Sequence, residues 1–298
     1  MRMDRLLLAL TLFAALPSLS EAYTAAGDRI FPATIVLPQV APSDDAYLTT
    51  STQPLYNATG SGSGSRLTDT SVTFDKTVTE RLAIGFTDGW NALDQDGAGN
   101  RYGYQNVETM IQYLAVLDPE HELLVSVGAD REWGGTGAGG IGASPSGATT
   151  PALYLGKGMG DIAAPWLRPF AVSANLSYSL ADTNARADRI GTGLAIEYSI
   201  PYLESKVASV DLPDVVRAMT PIVEIFYSTP SSSARGTKTS GIVAPGLNYA
   251  GEGWEAGLEM LIPATRAAGS GLGVTAQFHV ALDYFFPETL GRPLFSAY

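Results

Sequence analysis

Residues 272–284 read Leu-Gly-Val-Thr-Ala-Gln-Phe-His-Val-Ala-Leu-Asp-Tyr. Leu272, Val274, Ala276, Phe278, Val280, Leu282 and Tyr284 share one parity, and Gly273, Thr275, Gln277, His279, Ala281 and Asp283 share the other. A strand sends successive side chains to opposite faces, so this run has one oily face and one polar or small face. At roughly 3.3 Å per residue it is long enough to cross a bilayer at a tilt. A single run of this kind also suits a soluble sandwich, and repetition decides between the two. Residues 170–180 set Phe170, Val172, Ala174, Leu176, Tyr178 and Leu180 against Ala171, Ser173, Asn175, Ser177 and Ser179. Residues 81–90, 102–117, 122–133, 190–200, 221–229, 239–249 and 254–262 repeat the theme, with weaker alternation at 47–55, 66–78 and 152–160. No helical period competes over a long window.

The amino terminus fixes the compartment. Arg2 and Arg5 precede the apolar run 6–16, and Ser20-Glu21-Ala22 places small residues where a signal peptidase reads them. Residues 1–22 are therefore expected to be a signal peptide cut after Ala22. Beyond it, no apolar run reaches the ~20 residues of a spanning helix. An exported chain without such a run can enter a membrane only as a closed barrel, because only helices and barrels pair every backbone group in hydrocarbon.

The loops fall into two kinds. Those at 91–101, 134–150, 182–188, 230–238 and 263–271 are mostly Gly/Ser/Asp/Arg-rich, whereas 79–80, 118–121 and 250–253 are tight turns, and 161–169 and 201–220 are longer. Short turns at one end and long loops at the other mark an outer-membrane barrel. The expected fold is all-β: a closed, antiparallel, up-and-down transmembrane β-barrel of about 12 strands, with long extracellular loops and mostly short periplasmic turns. Residues 23–46 are read as an extended Pro-rich segment resting against the barrel mouth, 47–286 as the barrel and 287–298 as a tail. Residues 213–219 suit a short helix. Tyr102, Tyr104, Trp133, Trp166, Tyr198, Tyr202, Tyr249, Trp254, Tyr284 and Phe285 fall near strand ends, where interfacial girdles belong. The cell outer membrane of a Gram-negative bacterium is the expected location. Outer-membrane lipid, a small-molecule solute and the barrel-assembly machinery are the expected partners.

Composition narrows the chemistry. A net charge of -12 leaves no electrostatic footprint for nucleic acid, and the absence of Cys removes disulfides, thiolate metal sites and a Cys nucleophile. The non-oily face is Gly, Ala, Ser, Thr, Gln and a few carboxylates with very little Lys, which suits a narrow wet lumen better than a surface in bulk water. Parity makes Glu108, Glu122, Asp130, Glu197, Glu224, Glu255, Glu259, His279 and Asp283 the lumen-lining candidates, with Arg81 among the few basic ones. Pore selectivity follows lining charge and width, so this interior is expected to favour neutral or cationic solutes over anions. The same carboxylates could instead bond to neighbours and hold a filled barrel rigid.

No cofactor, metal or catalytic set is read from the sequence. His121 sits in a turn. His279 shares a face with Gln277 and Asp283, so a Ser-His-Asp hydrolase on a barrel wall is one alternative, although no Gly-x-Ser-x-Gly elbow accompanies it.

Ala244-Pro245-Gly246-Leu247-Asn248-Tyr249, then Trp254-Glu255-Ala256-Gly257-Leu258-Glu259, then Ile262-Pro263, then Phe286-Pro287 and Gly291-Arg292-Pro293-Leu294-Phe295 form a further signature. Over roughly 240–295 it resembles the tail of proteobacterial outer-membrane barrels grouped as the "MetA-pathway of phenol degradation" family of transporters. That resemblance implies a channel or transporter for small molecules, aromatic ones among them, and supplies no catalytic residues; with the acidic lining, the expected solutes are small neutral, cationic or aromatic molecules. A structural or ligand-binding barrel without an open pore is the alternative reading, and a barrel hydrolase the second. Many such barrels end on an aromatic residue closing the last strand. Here the expected last strand ends near Phe285 and a tail runs on to Tyr298.

Overall fold

The structure, a computed structural model, describes residues 25–55, 64–95, 99–232 and 237–295. The expected signal peptide and the terminal Tyr298 lie outside the described residues. The chain opens with a small hairpin, β1 (Ala25–Ala26) and β2 (Arg29–Ile30). The main sheet holds β3 (Asp45–Leu55), β4 (Ser65–Thr79), β5 (Leu82–Gln95), β6 (Gly99–Tyr104), β7 (Glu108–Asp118), β8 (Leu123–Glu132) and β9 (Ala148–Gly158). It continues through β10 (Phe170–Ala181), β11 (Arg189–Tyr198), β12 (Met219–Pro230), β13 (Ser240–Ala250), β14 (Trp254–Pro263) and β15 (Gly273–Ala281).

These thirteen strands pair antiparallel with their neighbours. Twelve close the ring: β15 pairs with β3 from Asp45↔Ala281 to Thr52↔Val274, and β4 pairs with β5, so no edge is left open. The thirteenth, β6, pairs only with the outer stretch of β5, from Trp90 to Gln95, while the inner stretch of β5 pairs with β7. The expected single strand over 102–117 is thus two strands broken at 105–107, and the first of them extends the barrel wall as a hairpin. The last strand is shorter than the parity suggests. It stops at Ala281, and Leu282–Phe285 form a helical turn. The short helix expected at 213–219 is the single turn Asp214–Arg217. The tail folds back, with Leu294 N and Phe295 N donating to the carbonyls of Thr77 (3.1 Å) and Val78 (2.8 Å).

Alternation has its physical cause in the wall. Leu48, Phe86, Ile111, Leu153, Leu176 and Phe278, on different strands, all point outward and stay 45–53% exposed. So extended an apolar surface is untenable in water and natural against lipid, so the molecule is a transmembrane barrel of the outer-membrane type. Aromatic pairs gather at the terminal end, where the described chain enters and leaves the barrel: Phe170 with Tyr198 (ring centroids 4.8 Å apart), Tyr249 with Trp254 (5.6 Å) and Trp254 with Phe278 (5.7 Å). Tyr102, Tyr104 and Trp133 are exposed at the opposite, loop end. Tyr202 is the exception to the expected girdle, because it is buried inside the terminal end.

Candidate functional site: the lumen and its inner segment

Residues 31–42 run through the barrel interior rather than against its mouth. Phe31, Ala33, Thr34, Ile35, Leu37, Val40 and Ala41 are all buried. Three prolines, Pro32, Pro38 and Pro42, keep this stretch extended and remove backbone donors. The remaining amides must find partners on the wall, because a buried unpaired N–H is costly. Glu224 takes three of them, accepting from Ile35 N (2.6 Å), Val36 N (3.1 Å) and Leu37 N (2.6 Å). Glu255 accepts from Ala33 N at 2.8 Å, and Asn248 Nδ2 donates to Ala33 O at 2.7 Å. On the opposite wall Gln112 Nε2 donates to Gln39 O at 2.9 Å.

Small residues on the lumen face make the room. A Cβ at Gly257 would stand 2.4 Å from Ile35 Cδ1, and one at Gly193 would stand 2.5 Å from Leu37 Cδ2. These glycines, on the small face of their strands, are the sockets of the inner segment.

A latch holds the start of this segment at the terminal end. The β1–β2 hairpin turns at Gly27, whose φ of +62° suits glycine and whose Cβ position is taken by Pro119 O. Arg29, fully buried, donates to the carbonyls of Pro169 (3.1 Å), Phe170 (3.2 Å) and Arg168, and its Nε reaches Glu122 Oε2 at 3.4 Å. Its guanidinium lies 3.9 Å over the Tyr202 ring. Glu122 is completed by Tyr202 OH (2.8 Å) and Gly160 N (2.9 Å). Burial, then the bond to Glu122, push the Tyr202 hydroxyl up to about 12, so it stays a donor.

The ten lumen candidates therefore separate. Glu224 and Glu255 bind the inner segment, and Glu259 lies beside Glu224. Glu197 is buried in the same half with neither carboxylate oxygen bonded. His279 stands between acids, its Nε2 2.8 Å from Asp45 Oδ1 and its Nδ1 3.8 Å from Glu255 Oε2, with the Tyr47 ring stacked on it at 4.6 Å. Both imidazole nitrogens face carboxylates, an arrangement unlike a base poised on a serine. Glu108 and Asp130 face the wet part of the lumen. Three candidates depart from the parity reading. Arg81 lies exposed in the two-residue turn between β4 and β5, where the strand pattern has already ended. Glu122 sits in the β7–β8 turn with φ of 49° and serves the latch. Asp283 lies past β15 in the helical turn at the terminal end, where burial, then the nearby Asp45, push its carboxyl up to about 6.

The inner segment divides the interior. Towards the loops lies a cavity of about 320 Å³, floored by residues 34–39 and walled by Thr49, Ser71, Thr73, Asp75, Glu108 and Asp130 among others. Towards the termini lies one of about 300 Å³, lined by Ala41, Asp44, Asp45, Glu80, Asp283 and neighbours. Sequence parity missed Asp75 because 66–78 alternates only loosely, although Thr73, Asp75 and Thr77 do share a parity. It also missed Arg29, which no periodicity marks.

No protein-family model matches the chain, and no curated protein matches it. Solved structures do. An outer-membrane channel from Pseudomonas putida F1 covers 85% of this chain and 99% of its own with a TM-score of 0.53 at 11% identity. The KdgM porin covers 79% of this chain and 98% of its own at a TM-score of 0.47 and 8% identity. The NanC porin covers 79% and 98% at a TM-score of 0.46 and 10% identity. At such identities the likeness to the first is one of fold.

Proposed function

We propose that this protein is an outer-membrane channel for small molecules whose inner segment, residues 31–42, sets the width of the path. The observation that carries the reading is the pair of cavities that the segment lines, one through residues 34–39 and the other through Ala41 and Pro42. The wall of the loop-side cavity supports it too, being largely hydroxyls, amides and carboxylates, while the segment's apolar side chains pack in small clusters against Leu114, Leu124, Ala171, Ala195 and Ile222. A solved barrel that this one resembles in fold is described as an outer-membrane channel, and the tail resemblance to the "MetA-pathway of phenol degradation" transporters points the same way. Neutral and cationic solutes are the classes an acid-rich interior admits, and aromatic ones are what the tail resemblance adds.

One observation favours a second reading, a ligand-binding barrel that does not conduct. Glu224, Glu255, Gln112 and Asn248 together hold the segment with six hydrogen bonds. Planar-bilayer recording in KCl separates the two, comparing the full chain with one lacking residues 25–42. A channel gives a small cation-selective conductance that rises several-fold when the segment is removed. Silence from both proteins, or clear anion selectivity, sinks the channel reading.

A further inference from the structure

The loop-side cavity carries three carboxylates and no base. Asp75, Glu108 and Asp130 are on its wall, and among its lining residues there is no Lys, Arg or His. The nearest cationic groups are already committed. Arg186 pairs with Glu132, and His279 stands between Asp45 and Glu255.

The strand register explains the layout. Asp75, Gly85, Met110 and Asp130 form one row across β4, β5, β7 and β8. The two aspartates are three strand spacings apart along the wall, roughly 14 Å between backbones. Glu108 stands one step higher, opposite Thr87. Gly85 makes room for the Asp75 carboxylate, because a Cβ there would meet Asp75 Oδ1 at 2.3 Å and Met110 Cε at 3.0 Å.

Asp75 is the unusual member. It is only 7% exposed, and its Oδ1, buried on the cavity wall, has no hydrogen-bond partner. A buried carboxylate oxygen without a partner is costly to a barrel unless something else supplies the donor. Among the described residues no three acidic or imidazole groups converge closely enough to hold a metal ion. Spread carboxylates suit a longer ligand instead. The floor is apolar, from Ile35, Leu37 and Pro38, and Tyr47 and Tyr154 add aromatic surface, which favours contact with a cation.

We propose that this cavity binds a small organic cation, a protonated amine carrying a compact apolar body, with its ammonium group on Asp75 and its neighbouring carboxylates. The proposal deepens the channel reading and rests on it only for the meaning of the site, since binding is measurable without conduction. The apolar body lies on the inner segment, so the same residues that narrow the path also form the floor of the site.

The test uses the full-length barrel in detergent micelles, titrated by isothermal calorimetry with benzylammonium, benzyl alcohol and benzoate as size-matched cation, neutral and anion. Benzylammonium binds about tenfold or more tighter than the other two, and Asp75→Asn and Asp130→Asn each weaken it about tenfold, as expected for loss of a charge-assisted contact. Asp94→Asn, on an exposed position of β5 facing away from the lumen, leaves the affinity unchanged. Circular dichroism and heat-shifted gel migration certify each variant as folded. If Asp75→Asn does not fold, Asp130→Asn decides. Equal affinity for all three probes, or unaltered affinity in the folded carboxylate variants, overturns the site. Bilayer recording judges the channel separately: binding without conductance sinks the channel and leaves the site, and conductance without binding does the reverse.

Discussion

The two halves of the lumen hold the same kind of residue in opposite states. At the terminal end Glu224, Glu255 and Glu122 are consumed by backbone amides, Arg29 and Tyr202. At the loop end Asp75, Glu108 and Asp130 face a cavity with no basic group in its lining. The difference lies in what the chain places beside them, namely a Pro-rich segment that brings bare N–H donors into the barrel. Where the segment's amides reach the wall an acid becomes a structural acceptor; Glu197 and Glu259, in the same half, are buried beyond that reach, and the loop-end acids face open space instead.

The comparison can be broken most severely at Arg29. Replacing Arg29 by Met leaves Glu122 buried without its counter-charge, an outcome that costs about 3–5 kcal/mol. Urea-unfolding midpoints of the reconstituted protein check it, and an unchanged midpoint means that the latch holds nothing. Glu224→Ala removes the shared acceptor of three amides. Its expected cost is about 3 kcal/mol, roughly a hundredfold shift towards a released segment, read as faster proteolysis within residues 31–42. On the outside, Leu176→Arg places a charge on the lipid face near mid-strand and should cost about 2–4 kcal/mol of barrel stability. Leu176→Met should be close to neutral.

The smallest effect is a pH dependence at Asp283. Its carboxyl titrates near 6 in the folded chain against an ordinary 3.8, because burial and then Asp45 disfavour the charge. A raised acid binds its proton more tightly when folded. Its contribution to stability is therefore complete below about 3.8 and is lost as pH rises through about 6. Asp283→Asn should narrow the difference between unfolding midpoints at pH 5 and pH 7.5, modestly, because the group is partly exposed. An unchanged difference places the pH dependence elsewhere.

The wall was legible and its contents were not. Lipid demands an outward apolar row from every strand, so residues such as Leu176 and Phe278 announce the strands by parity alone. Parity also turned Glu224, Glu255, Glu259 and Glu197 inward. It could not say what they meet, because the partners of Glu224 are backbone amides some 190 positions away, and an amide has no sequence signature. Arg81 misled because a turn residue continues the count of the strand beside it. Tyr202 misled because a strand-end aromatic reads alike whether it faces headgroups or stacks on a buried arginine. Asp75 stayed hidden in a Thr/Ser/Asp stretch whose oily face is thin.

The most direct test of the account is the position of the inner segment in the folded barrel. Methyl-labelled protein in micelles should give nuclear Overhauser contacts from Ile35 Cδ1 to the Gly257 α-protons and from Leu37 methyls to those of Gly193, since each methyl sits where those glycines would carry a side chain. Contacts at both sites place residues 31–42 inside the lumen. Methyls of Ile35 and Leu37 that instead show only detergent or water contacts, with the barrel resonances intact, contradict the account.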